Sequence, residues 1–136
     1  MTDPDYERAL GRALFGFALL EWDAVWCAER IKPGFVNEVA RLTAGQIAER
    51  LFHLSLKLPP SGHRSTCCDA ATEFRVLVDV RNDLMHASPC TAPDGEQRLI
   101  RYGVIWSIPD IEKAVTDFAA CSGRLNALLH GPLAKL

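Results

Sequence analysis

Apolar residues along this chain recur mostly at three- and four-residue spacing, the period of an α-helix with one face turned to a core. From about Asp5 to Ile31, Tyr6, Leu10, Ala13, Leu14, Phe17, Ala24, Val25 and Ala28 form one such stripe. Phe15, Leu19, Trp22 and Trp26 form a second stripe on another face. A helix apolar on two faces is central in its bundle, or it packs on the bundle with one face and on a partner chain with the other. A second helical pattern runs from Thr43 to Leu58. Ala44, Ile47, Ala48, Leu51, Leu54 and Leu58 turn inward, and Thr43 with Gln46 has the spacing of a capping box. Phe35 to Leu42, just before it, reads as a separate helical turn. A third pattern starts near Ser65 or Thr66 and ends near His86 or Ala87, because the residue before Pro89 avoids helical geometry. Its inward face is Phe74, Leu77 and Val78, extended by Ala71 and Met85, and the same spacing puts Arg81 in the next inward slot.

Beyond Pro89 the period changes. Pro93-Asp94-Gly95 is a turn signal, and Leu99 to Trp106 is rich in β-branched and aromatic residues, as in a small hairpin arm. Ser107 with Asp110 opens a last helix whose inward face is Ile111, Ala114, Val115, Phe118, Cys121, Leu125 and Leu128. Gly131-Pro132 ends it. These patterns predict an all-α protein: a bundle of four long helices, up to five in all, with a short β-hairpin insertion between the last two long helices. No repeat or linker interrupts the chain, so residues 1–136 read as one domain.

Composition narrows the class without naming a function. Hydrophobic residues at 49% and charged residues at 24% are those of a soluble globular domain, which excludes disorder as the main reading. No run approaches the ~20 apolar residues of a membrane span, so no membrane role is expected. The acidic start, Met1 to Asp5, has no basic region of a signal peptide. Five cysteines, an odd number with no C-x-x-C, fit reduced thiols in a cytoplasmic protein better than disulfides or zinc. No Gly-rich phosphate loop, nucleophile elbow or metal-ligand pair is present, so neither cofactor nor metal is expected. A net charge of -2 excludes a broad phosphate-binding surface and leaves only a local nucleic-acid site. Of the 15 basic residues, 11 are arginines, whose planar guanidinium suits bidentate contacts to anions.

One polar cluster has sharp chemical content: Arg81-Asn82-Asp83-Leu84-Met85-His86, at the end of the third helix. Asn82 and His86 share a helix face. Arg81 and His86 are about 140° apart on an ideal helix, so they converge on one ligand only at a groove or where the helix ends. Histidine exchanges protons near neutral pH, and a guanidinium supplies a fixed positive charge. The same loose spacing recurs at Arg124 and His130, but there an apolar Leu125 follows the arginine. His130 lies just before Gly131-Pro132, where it can cap carbonyls.

In Arg81, Asn82 and His86 the chain resembles the HEPN superfamily of small helical-bundle proteins. Its ribonuclease members carry an arginine, four to six residues, then a histidine, often with a polar residue after the arginine. The order of elements is similar too, from about Tyr6 to Leu129, with an acidic residue, Glu21, inside the long first helix. The resemblance implies metal-independent RNA cleavage. The 2′-hydroxyl attacks the adjacent phosphate and leaves a 2′,3′-cyclic phosphate and a 5′-hydroxyl. It implies catalytic roles for Arg81, Asn82 and His86, and a supporting role for Glu21 in holding Arg81 or His86. It also implies a composite site shared across a homodimer, with RNA as substrate. A stress, defence or toxin–antitoxin setting follows, with a cognate antitoxin protein as a further partner. Arg75, Arg98 and Arg101, with Tyr102, are the candidates for further RNA contacts by charge and stacking. Two other readings stay open. One is a non-catalytic module of the same kind that binds RNA, a nucleotide or a protein. The other is a helical scaffold in which Arg81 pairs with Glu21 and His86 merely caps its helix.

Overall fold

The structure, a computed structural model, describes residues 2–136. The first helix, α1, spans Pro4–Ile31. Asp3 caps it by accepting from the Asp5 N–H at 2.9 Å, and Pro4 occupies the first turn, where no N–H is needed. It ends at Lys32-Pro33-Gly34, with Gly34 in the left-handed region at φ 96°. There the Glu29 carboxylate accepts from the backbone N–H groups of Gly34 at 2.8 Å and Val36 at 2.9 Å. These bonds hold the first of two short 3-10 turns, Phe35–Asn37 and Val39–Arg41, that fill the stretch expected to be one helical turn.

Helix α2 spans Ala44–Leu56 and carries the expected capping box of Thr43 and Gln46. Helix α3 spans Gly62–Met85, so it begins three or four residues earlier than the sequence pattern suggests. Ser61 stands extended before it, and the Thr66 hydroxyl donates back to the Gly62 carbonyl at 2.8 Å inside the helix instead of capping its start. Helix α4 spans Ile108–His130 behind the Ser107–Asp110 capping box, and a 3-10 turn, Pro132–Lys135, folds back to bury Leu133.

The insertion between α3 and α4 is larger than a hairpin. Strands β1 (Ser88–Thr91), β2 (Gln97–Arg101) and β3 (Val104–Trp106) form a three-stranded antiparallel sheet in chain order. Pro89 sits in the edge strand, where a missing N–H is tolerated. The β2–β3 turn takes positive φ at Tyr102 (52°) and Gly103 (75°), the backbone twist that a two-residue hairpin loop requires. The molecule is therefore mostly helical, four long helices with a small sheet.

Helices α1 and α4 pack along each other, as do α2 and α3. Phe17, Phe74 and Phe118 meet at the centre, with ring centroids 6.0 Å apart for Phe17–Phe74 and 5.3 Å for Phe17–Phe118. The expected inward faces of α2 and α4 are buried, except that Val115 is only half-buried. In α1, Ala9, Leu20 and Cys27 join the core, whereas Leu14, placed in the inward stripe by spacing, is exposed. Met85 is likewise exposed rather than inward, because α3 runs on past α2 and Leu84 takes the last buried position. The second α1 stripe, Phe15, Leu19, Trp22 and Trp26, faces outward.

Tyr6 ties the sheet to α1. Its O–H donates to the Trp106 carbonyl at 2.8 Å, and its oxygen accepts from the Leu99 N–H at 3.0 Å. Tyr6→Phe strips both groups of their partner, so unfolding in denaturant should show a loss of about 1–3 kcal/mol. All five thiols are free, and burial pushes Cys27 and Cys121 up to about 12. Both are neutral in the fold but ionise in the unfolded chain above about 8.5. Their contribution is thus complete below that pH and is lost as pH rises toward about 12. Denaturation followed against pH should show this alkaline decline, and Cys121→Ala should make its slope shallower.

Candidate functional site

Helix α3 has 24 residues and α2 only 13, so about three turns of α3 project beyond its neighbour. Those turns carry Arg81, Asn82, Met85 and His86. On one side α1 and β2 cover them. On the other side they are open.

Arg81 lies where its spacing put it, facing α1. Its guanidinium carbon sits over the Phe17 ring, 4.5 Å from the centroid. Its Nε is buried with no acceptor, and the side chain forms no ion pair among the described residues. The Arg81–Glu21 pair of the scaffold reading is therefore not formed. Glu21 is half-buried and reaches neither Arg81 nor His86 by a hydrogen bond, so within one chain it holds neither. A cleft of about 310 Å³ opens beside Arg81, walled by Leu10, Leu14, Leu84, Met85 and Leu99.

His86 is the C-terminal cap of α3. Its N–H donates to the Asn82 carbonyl at 2.9 Å, and its φ of -97° and ψ of 4° have left the helix. Its imidazole is exposed, and Asn82 beside it is half-buried. The end of α3 thus presents a proton-exchanging ring, an amide and an unneutralised guanidinium on adjoining sides of one helix terminus. Such a set can hold an anionic group and move a proton.

The other candidate residues divide. Arg101 is brought to the same helix end: its Nε is 3.8 Å from Asp83, and its guanidinium lies 4.3 Å from the exposed Tyr102 ring. Arg75 is not brought there. It is held by Asp79 at 2.8 Å and by Glu49 of α2 at 3.5 Å. Arg98 is buried under structure: its side chain, 14% exposed, pairs with Asp3 at 3.2 Å and lies 4.5 Å over the Tyr6 ring. Arg124, in the second match to the motif, pairs with Glu73 and so joins α4 to α3. Another cleft, of about 350 Å³, lies between Val80, Trp106 and Ala114, and none of the cluster lines it. Among the described residues no three His, Cys, Asp or Glu side chains gather where they could hold a metal ion. Among the described residues no helix is long and apolar enough to cross a membrane.

Spacing missed the rim residues Leu14 and Met85, because the angle of a side chain on its helix does not say whether a neighbour stands there. It also missed the Asp3–Arg98 lock, whose partners are 95 residues apart. No protein-family profile, curated protein or solved structure matches the chain.

The two outer arginines should behave differently. Arg98→Ala uncovers Tyr6 and leaves Asp3 unpaired, and should cost about 1–2 kcal/mol in chemical denaturation. Arg75→Ala removes only exposed ion pairs and should stay within ~0.5 kcal/mol of the parent chain.

Proposed function

We propose that this chain is a HEPN-like, metal-independent endoribonuclease, with Arg81, Asn82 and His86 of two copies forming one composite site. The observation that carries the reading is Arg81: a guanidinium on the wall of a cleft, held by an aromatic ring and by no carboxylate, near an exposed histidine at the helix end. The other structural arginines near it are neutralised: Arg75 of α3 by Asp79, Arg124 of α4 by Glu73 and Arg98 of β2 by Asp3.

In this reading a neutral His86 imidazole takes the proton of the RNA 2′-hydroxyl. The oxygen then attacks phosphorus, and the bond to the 5′-oxygen breaks. The leaving oxygen receives a proton from the partner's His86, giving a 2′,3′-cyclic phosphate and a 5′-hydroxyl. Arg81 offsets the charge that builds on the pentavalent phosphate, where a fixed cation contributes most. Asn82 orients the imidazole or binds a phosphate oxygen. A cytoplasmic stress, defence or toxin–antitoxin role, with a cognate antitoxin, belongs to the same proposal.

A second reading is a non-catalytic module of the same kind that binds RNA, a nucleotide or a protein. It is favoured by the engagement of Arg75, Arg98 and Arg101 with carboxylates, which leaves no row of free arginines beside the motif. Incubating the chain with mixed RNA in EDTA separates the two. The nuclease reading expects cleavage to cyclic-phosphate ends, reduced about 100-fold or more by Arg81→Ala and by His86→Ala. Cleavage unchanged in both variants would overturn the site. Binding with no cleavage of any RNA would leave the module.

A further inference from the structure

The cleft beside Arg81 combines one positive charge with apolar walls. Leu10 and Gly11 of α1, Leu84 and Met85 of α3 and Leu99 of β2 enclose it. Among the described residues no carboxylate, hydroxyl or amide side chain lines it. The Nε of Arg81 is buried and meets no acceptor. A buried donor left unmet is a standing cost, which a ligand with a matching acceptor removes.

Gly11 supplies a second observation. It lies well inside α1, where glycine weakens a helix relative to alanine. Close packing does not account for it, because a Cβ built there meets nothing within 4 Å. What the missing side chain does is leave the cleft open on the side of α1. We infer that the cleft is a binding site for a medium-chain aliphatic carboxylate. The carboxylate lies on the Arg81 guanidinium, and the chain lies between the leucines and Met85.

Sign, walls and size each point to that occupant. The charge at the cleft is a cation whose face is taken by the Phe17 ring and whose charge no carboxylate offsets. A guanidinium holds a carboxylate through two parallel hydrogen bonds. The walls are flexible leucine and methionine side chains, with no polar group to read a sugar or the edge of a base, and they gain from burying methylenes. A bare phosphate gains nothing from such walls and loses its water on entering. A volume of about 310 Å³ is at the small end of ligand sites. It suits about ten non-hydrogen atoms, an acid of about eight carbons. The binding rests on the cleft and not on the ribonuclease reading. Only its consequence for RNA, competition for Arg81, rests on that reading.

Titrating the full chain with sodium octanoate tests the site, by calorimetry and by the NMR signal of the Met85 methyl group. The expected result is one site with a Kd below about 1 mM, and a Met85 methyl that shifts as the site fills. Hexanoate should bind about fourfold more weakly for each methylene it lacks. Octylamine and octanol, with the same chain and no anion, should bind at least roughly tenfold more weakly. Arg81→Met keeps the length of the side chain without its charge, and should weaken octanoate by a similar factor. Gly11→Leu fills the cleft from an exposed helix position with room for a side chain, and serves if Arg81→Met does not fold. It should abolish binding and keep the helical circular dichroism of the parent. No binding at about 5 mM, octylamine binding as tightly as octanoate, or binding indifferent to both substitutions overturns the site. Octanoate bound as expected by a chain that cleaves no RNA would sink only the nuclease reading. RNA cleavage by a chain that binds no octanoate would sink only this one.

Discussion

The ring of Phe17 is the point on which core and candidate site both depend. It packs against Phe74 of α3 and Phe118 of α4, so three helices share it. The Arg81 guanidinium lies over the same ring. A cation held by a ring quadrupole keeps its full charge, whereas one held by a carboxylate is neutralised. Phe17 therefore positions Arg81 without using up its charge, and the rigidity of the core is passed directly to that group. A ring at this place also dictates which side of α3 faces α1, and so on which side Asn82 and His86 emerge.

The rest of the architecture frames that helix end. Because α3 is longer than α2, its last turns have a covered side and a bare side. The covered side is closed by the sheet, which is fastened to α1 by Tyr6 and by the Asp3–Arg98 pair rather than by a large apolar face of its own. Leu99 reaches from β2 into the wall of the cleft beside Arg81. The insertion after Pro89 is thus part of the scaffold of the site. Its arginines are largely committed to holding it there, which explains why Arg98 is a strut and Arg101 faces Asp83.

Much of this was legible in the sequence. The starts of α2 and α4 were marked by their capping boxes, and their inward faces by a period that only a helix satisfies. The inward turn of Arg81 was legible for the same reason. Leu14 and Met85 each continue an inward stripe, yet both are exposed. Glu21 and Arg81 each sat in an apolar stripe and looked like partners, but no pair forms between them.

Local pattern determined the helices, their caps, the break at Pro89 and the placing of arginine, asparagine and histidine at one helix end. These depend on backbone geometry and on neighbours within a turn or two, which a single sequence displays. Tertiary structure alone decided which apolar faces find a partner and which carboxylates find an arginine. It also decided that Arg81 rests on a ring and that one stripe of α1 stays bare. Those outcomes depend on how helices distant in the chain are rotated and how far each overlaps its neighbour, and residue spacing carries no record of either.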